Sequence, residues 1–405
     1  MPLISLITCF IPLISLPIIL CLLFATHDIK IKKVYSILFS ITVGFVLYKM
    51  IPRNTMDLYR YYDMMNLYSN LNFSDFVNQF LFNIEPLINI IFYLFSKLND
   101  NHLIIIFTTF VSYSILFYIL FDYQKNIGLS NFKFNIALFY FLSTFLIIYN
   151  ITGIRFCLAR LIFFLAIYLD FYKNRKGIPL VVLYILPIFF HQSTFLLLIL
   201  RLLLLLNKNK FDFKLFVFSI FVLLFPSYMV NIFSTIFGRN SYLIGLLDKA
   251  TKYVGYGNAF ANIYKLQLAL TVLIGIVLLI IKLKKIKTND KFLNYSILIF
   301  LVSIGFISSE TISTRFIGVL CSFSVLLFMD FLNSLNNKNT IAFGLLLLPF
   351  CLFYLAFQFI QFNADGIFYN LVFDIKYTFL AISYIFLYLF GHFFQKKEQK
   401  VKKYE

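Results

Sequence analysis

Acidic residues are scarce in this 405-residue chain: 17 Asp and Glu stand against 35 Lys and Arg, and only four residues are histidine. These few ligand-type side chains form no Asp-x-Asp pair and no cluster with metal-ligand spacing, so neither a metal site nor a cofactor is expected. The five cysteines (Cys9, Cys21, Cys157, Cys321, Cys351) lie in apolar runs without a Cys-x-x-Cys spacing. They indicate neither a disulfide framework nor a thiolate metal site. With 14 Gly and nine Pro, the chain has no Pro/Gly-rich linker, no shift of composition and no internal repeat. One domain over residues 1–405 is expected. No basic residue precedes the first apolar run and no small-x-small site follows it, so residues 1–24 read as a span and not a signal peptide.

What the chain has in excess is apolar surface. It is 61% hydrophobic with a mean hydropathy of +0.89, which predicts an all-α, polytopic integral membrane protein and excludes a soluble domain. Spans are expected at 3–25, 34–51, 103–121, 134–150, 154–171, 211–236, 263–281, 291–309, 312–332, 340–361 and 367–391, about eleven in all. The net charge of +18 lies mainly in short loops between them, where Lys acts as a topology signal against anionic lipid, so nucleic acid is not expected as a partner.

Lysine and arginine separate. Lys30–Lys33, Lys125 and Lys133, Lys173 and Lys176, Lys208–Lys214, Lys282–Lys291 and Lys396–Lys403 fill one set of connections. Arg53, Arg60, Arg155, Arg160, Arg239 and Arg315 fall in the other set. Cytoplasmic loops collect positive charge, so the lysine set is placed inside, with the N-terminus outside and the tail 392–405 inside. Two stretches fit this scheme only if they do not cross. Residues 84–98 become an interfacial or re-entrant helix, and 178–206, interrupted near Pro187 and His191, becomes a hairpin. Irregular backbone at membrane depth survives only against protein or a water-filled cavity, so both point to a cavity facing outward. The longest outer loop is 237–262.

Polar residues on that outer side carry the candidate chemistry. In 51–68, Asp57 and Arg60 share a helix face by i,i+3 spacing, and Asp63 follows. The tyrosines around them, Tyr59 and Tyr62 among them, read either as an interfacial aromatic belt or as platforms for a sugar. Glu85 precedes Pro86 at a helix start, where it is either a cap or a working carboxylate. Arg155 and Arg160 enter the membrane in an apolar run. Snorkelling accounts for Arg155 more easily than for Arg160, which is deeper. His191 lies at the hairpin break, either as a structural ring bonded to a freed carbonyl or as an acid–base group. Arg315 opens a late span after Glu310. Guanidinium reads phosphate in a bidentate manner, which a topology signal does not require, so an anionic, phosphate-bearing substrate is expected on this face.

In order along residues 50–200, Asp57, Tyr59–Tyr62, Glu85-Pro86-Leu87, Gly153-x-Arg155, Ala159-Arg160, the basic turn Lys173–Lys176 and Phe190-His191-Gln192-Ser193 resemble the EpsG/Wzy group of bacterial polysaccharide polymerases. The tyrosines at 59, 61, 62 and 68 depart from a regular repeat. The resemblance implies a metal-independent membrane glycosyltransferase of the helical fold of lipid-linked-sugar transferases, in the bacterial cytoplasmic membrane. Its substrate would be an oligosaccharide carried on undecaprenyl pyrophosphate, its surroundings membrane lipid, and a chain-length regulator a further partner. Arg155 and Arg160 would hold the pyrophosphate with Arg60, Arg315, Tyr59 and Tyr62 assisting, and Glu85, Asp57 or His191 would be the base. A flippase for the same lipid-linked sugars and an O-antigen ligase are the rival readings. A flippase usually shows two related halves, which are absent here.

Overall fold

The computed structural model of the chain describes residues 12–48, 50, 52, 54, 56–81, 85–145, 151–212, 261–306 and 310–364. Every regular element among the described residues is a helix. In chain order these are α1 (Pro12–Ala25), α2 (Ile29–Tyr48), α3 (Asp57–Ser69), α4 (Phe73–Phe76, continuing as a π-helical turn Val77–Leu81), α5 (Pro86–Ser96), α6 (Leu103–Ile127) and α7 (Asn131–Thr144). They continue as α8 (Ile154–Phe171), α9 (Ile178–Phe190), α10 (Thr194–Leu206), α11 (Ala261–Leu283), α12 (Asp290–Gly305), α13 (Glu310–Ser334) and α14 (Asn337–Ala364). Nearly all of the predicted span 211–236 and of the loop 237–262, the whole of span 367–391 and of the tail 392–405, and Arg53 and Arg239 lie outside the described residues.

Among the described residues four stretches are long and apolar enough to cross a membrane: Ile29–Tyr48, Leu103–Ile127, Ser313–Ser334 and Asn337–Ala356. They play different parts. Ser313–Ser334 is buried along most of its length, whereas Asn337–Ala356 is mostly exposed, as suits a lipid-facing helix. Around α13 pack α7, α8, α11 and α12, while α2 lies along α6 and α8 along α9. Helix α8 covers the expected run 154–171 but carries three charges, Arg155, Arg160 and Asp170. In the run expected at 134–150, α7 ends at Thr144 and Phe145 turns extended at ψ 93°.

Both irregular stretches form short helices. Pro86 at the first helical position is preset for α5, whose 11 residues rise only about 16 Å. The stretch 178–206 divides into α9 and α10, 13 residues each and so about 20 Å long, joined at His191–Ser193 and packed on each other. Neither leg matches the roughly 30 Å hydrocarbon core.

Helix ends show why the sequence breaks where it does. Gly128 ends α6 at φ +64°, a left-handed conformation that suits glycine. Asn289 caps α12 by accepting from the Lys291 and Phe292 amides, and Ser130 caps α7. Lys97 Nζ donates to the carbonyls of Tyr68, Ser69 and Leu71 at 3.2, 2.9 and 2.6 Å, closing the end of α3. Two lysines of the loop set are structural as well. Lys32 is fully buried, bonds Asn135 Oδ1 at 2.8 Å and lies over the Phe134 ring. Lys133 Nζ reaches the carbonyls of Asn333 and Leu335.

Candidate functional site

The first two turns of helix α8 carry two arginines and a phenylalanine, and the groups gathered around them come from several other parts of the chain. Arg155 Nη1 pairs with Glu85 Oε2 at 2.6 Å, and its Nε donates to the Tyr61 hydroxyl at 2.9 Å. The guanidinium also lies 5.1 Å from the Tyr61 ring centroid. Glu85 stands at the N-cap position of α5 but makes no side-chain cap bond. Its Oε1 instead accepts the Gln192 amide at 3.2 Å, at the apex of the α9–α10 hairpin. A capping role is thus replaced by a clasp: one carboxylate ties the starts of α5 and α8 to the hairpin break. Glu85 is buried, whereas the Arg155 side chain stays 30% exposed, so the pair sits at a wet boundary.

Next to it, Phe156 organises a second group. The Arg160 and Arg315 guanidiniums each lie 5.9 Å from its ring centroid, and the His191 ring meets it edge-on at 5.5 Å. Arg160 is buried at 4% exposure and also lies over Phe145 at 5.3 Å. Gly318, one turn past Arg315 on α13, makes room for it: a Cβ there would overlap Arg160 Nη1. Three guanidiniums, one buried carboxylate and one buried imidazole therefore share a region built from α5, α8, α13 and the hairpin apex. Such a set can hold a multiply charged anion and move one proton.

The model of the EpsG family matches residues 34–368, well over half of the chain. The chain belongs to the EpsG family. No curated protein and no solved structure matches it. Family membership, with the apolar helices, makes it an integral membrane protein and suggests a polysaccharide-related polymerase acting on a lipid-linked sugar.

Within this EpsG-family chain the candidate residues separate. Glu85, Arg155, Arg160, His191 and Arg315 come together. Arg60 pairs with Asp57 at 3.4 Å on the exposed side of α3, with the Arg60 side chain 66% exposed. Asp57 still acts electrostatically on the Tyr61 hydroxyl. Tyr59 is exposed. Tyr62 faces another group, where its hydroxyl meets His102 Nδ1 at 3.2 Å while Tyr48 donates to Asp100 at 2.5 Å. The tyrosine that touches Arg155 is Tyr61. Burial holds its hydroxyl well above the usual phenol range, so it stays protonated.

Tyr61, Phe156 and Gly318 were not singled out from the sequence. Tyr61 lies in the Tyr-rich run, but choosing it over Tyr59 or Tyr62 needs the rotation of α3. Phe156 and Gly318 are ordinary residues of apolar helices and carry no signal beyond their nearness to Arg155 and Arg315. Among the described residues no group of three or more His, Cys, Asp and Glu is placed to hold a metal. A narrow apolar crevice lined by Tyr140, Ile274, Leu278, Ser324 and Phe328 involves none of the arginines.

Proposed function

We propose that this chain is a membrane glycosyltransferase that polymerises oligosaccharide repeat units carried on undecaprenyl pyrophosphate, working on the outer face of the cytoplasmic membrane. The observation that carries the reading is the Glu85–Arg155 ion pair at 2.6 Å beside the Phe156 group with Arg160, Arg315 and His191. A hydroxyl oxygen of the acceptor sugar attacks the anomeric carbon of the donor sugar. The bond from that carbon to the pyrophosphate oxygen breaks, the lipid pyrophosphate leaves with the electron pair, and the hydroxyl proton goes to a base. Arg155, Arg160 and Arg315 stabilise the charge developing on the pyrophosphate, which needs no metal. Glu85 is the base: of the three acid–base candidates, it is the buried carboxylate in direct contact with that arginine group. Product is O-antigen or capsular polysaccharide, and the leaving group supplies its own activation.

The test uses purified protein with a lipid-linked repeat unit, reading polymer length in the presence of EDTA. Arg155→Ala is expected to remove a charge-assisted contact of about 1.5–3 kcal/mol, roughly ten- to a hundredfold in rate. Arg155→Lys is expected to recover only part of it, because an ammonium lacks the planar fork. Wild-type activity lost in EDTA and restored by Mg²⁺ would refute the metal-free chemistry. In a deletion strain, a product capped at one repeat unit supports a polymerase. Absence of surface glycan would instead indicate a flippase, and long but unlinked polymer a ligase.

A further inference from the structure

The hairpin break fixes the proton of a buried imidazole. His191 Nδ1 lies 3.1 Å from the Ser193 amide nitrogen and 2.8 Å from Ser193 Oγ. A backbone amide only donates, so the Nδ1 lone pair is the acceptor and the proton of the neutral ring belongs on Nε2. The Ser193 hydroxyl is a second donor aimed at the same atom. At His102 the reverse holds. Its Nδ1 faces the Tyr48 carbonyl at 2.9 Å and must donate, which leaves Nε2 as the basic nitrogen. Local backbone thus sets opposite tautomers in the two rings.

We infer that His191 serves the polymerisation as a neutral hydrogen-bond donor to the substrate pyrophosphate through Nε2–H, and that Ser193 is the positioning residue that fixes this tautomer. The inference rests on the polymerase reading above and removes His191 from the possible bases. Its ring meets Phe156 edge-on, and Phe156 is shared with Arg160 and Arg315. A site surrounded by guanidiniums gathers donors toward an anion, and an N–H extends that set. A base would need its lone pair available to the sugar hydroxyl, whereas the lone pair of this ring is engaged by the first turn of the hairpin's second leg. Glu85, which accepts the adjacent Gln192 amide, is left for proton removal.

A purely structural His191 would act as a cap for α10, and two substitutions separate the cases. Asn at 191 offers a side-chain oxygen to the Ser193 amide, so it preserves a cap but has no donor where Nε2 was. Gln places its amide N–H₂ near the Nε2 position and forfeits the cap. The expected result with purified protein and a lipid-linked repeat unit is that His191→Gln stays within about tenfold of wild type, the cost of one ordinary hydrogen bond. His191→Asn is expected to lose substantially more, with weaker competition by inorganic pyrophosphate. Ser193→Ala is expected to raise KM more than it lowers kcat.

The tautomer itself is read from the ¹⁵N spectrum of histidine-labelled protein in lipid. Only four histidines contribute, and the His191 signals are those lost in His191→Gln. They should show a protonated Nε2 and a bare Nδ1 in wild type, and the same tautomer should predominate in Ser193→Ala, which removes the hydroxyl donor but keeps the amide. A protonated Nδ1 in wild type, or Asn performing as well as Gln, overturns the inference. Loss of activity in both variants while thermal melting stays near wild type overturns it too. If wild type makes no polymer and shows no response to pyrophosphate, the polymerase reading fails instead, and the spectrum still decides the tautomer.

Discussion

Arg155–Glu85 and Arg201–Asp170 are arginine–carboxylate pairs at opposite ends of α8. Arg201 sends both Nε and Nη2 to the same oxygen of Asp170, at 3.1 and 2.8 Å, and its Nη1 to Asn209 at 2.8 Å. Tyr184 donates to the same carboxylate, and the Arg201 side chain is 8% exposed. Every nitrogen of that fork is engaged. Arg155 spends Nε on Tyr61 and Nη1 on Glu85 and remains at the wet boundary, with Arg160 and Arg315 nearby. A guanidinium saturated by its own protein is a fastener, whereas one with open capacity beside other guanidiniums can still take an anion. Residue type alone does not separate structure from function; the occupancy of the fork does.

The sharpest way to break this comparison is to remove the fastener. Arg201→Ala leaves Asp170 largely buried without its cation and is expected to destabilise the protein by about 3 kcal/mol or more. Thermal melting in detergent should fall by several degrees, and adding Asp170→Asn should recover part of the loss. A melting curve equal to that of wild type would mean that the saturated pair contributes nothing. The next effect is selective. Gly318→Ala presses a methyl against Arg160 Nη1, the far end of a flexible side chain, so stability should hardly change. Displacement of that guanidinium is expected to cost about 1–2 kcal/mol in polymer formation, five- to thirtyfold. Unchanged polymer length and rate would detach Arg160 from the site. The smallest change is Tyr61→Phe, which removes the oxygen that Arg155 Nε bonds but keeps the ring. A loss of about 1 kcal/mol, roughly fivefold, is expected in KM for the lipid-linked unit, with melting unchanged. A larger fall in kcat than rise in KM would instead place the phenol in the chemical step.

Legibility in the sequence followed the range of the interaction. Helix α8 occupies the run 154–171 because its ends are set locally, by Gly153 before it and the polar Lys173–Lys176 turn after it. The hairpin break at His191 was readable for the same reason. Glu85 was recognisable as costly where it stands, but its partner lies 70 residues away, and only the packing of α5 against the hairpin and α8 reveals a clasp in place of a cap. The choice of Tyr61 over its neighbours depends on the phase of α3, which a run of tyrosines does not encode. Arg201 went unread as a buried group because its long apolar run gives no hint that Asp170, on another helix, saturates it. Arginines were thus found by their rarity, while their roles came from partners distant in sequence.

Lys32 and Lys133 carry a consequence for how the protein is made. During insertion a lysine near a helix end weighs on which way the segment is oriented, because its charge is then exposed to water and anionic lipid. In the finished molecule these two ammonium groups are engaged by the protein: one bonds Asn135 over the Phe134 ring, the other the Asn333 and Leu335 carbonyls at the end of α13. Two groups of the kind that signals orientation thus end as fixings between helices far apart in sequence. Exchanging either for arginine would keep the signal but enlarge the fixing. The damage would then appear late, as correctly oriented helices that fail to close on one another.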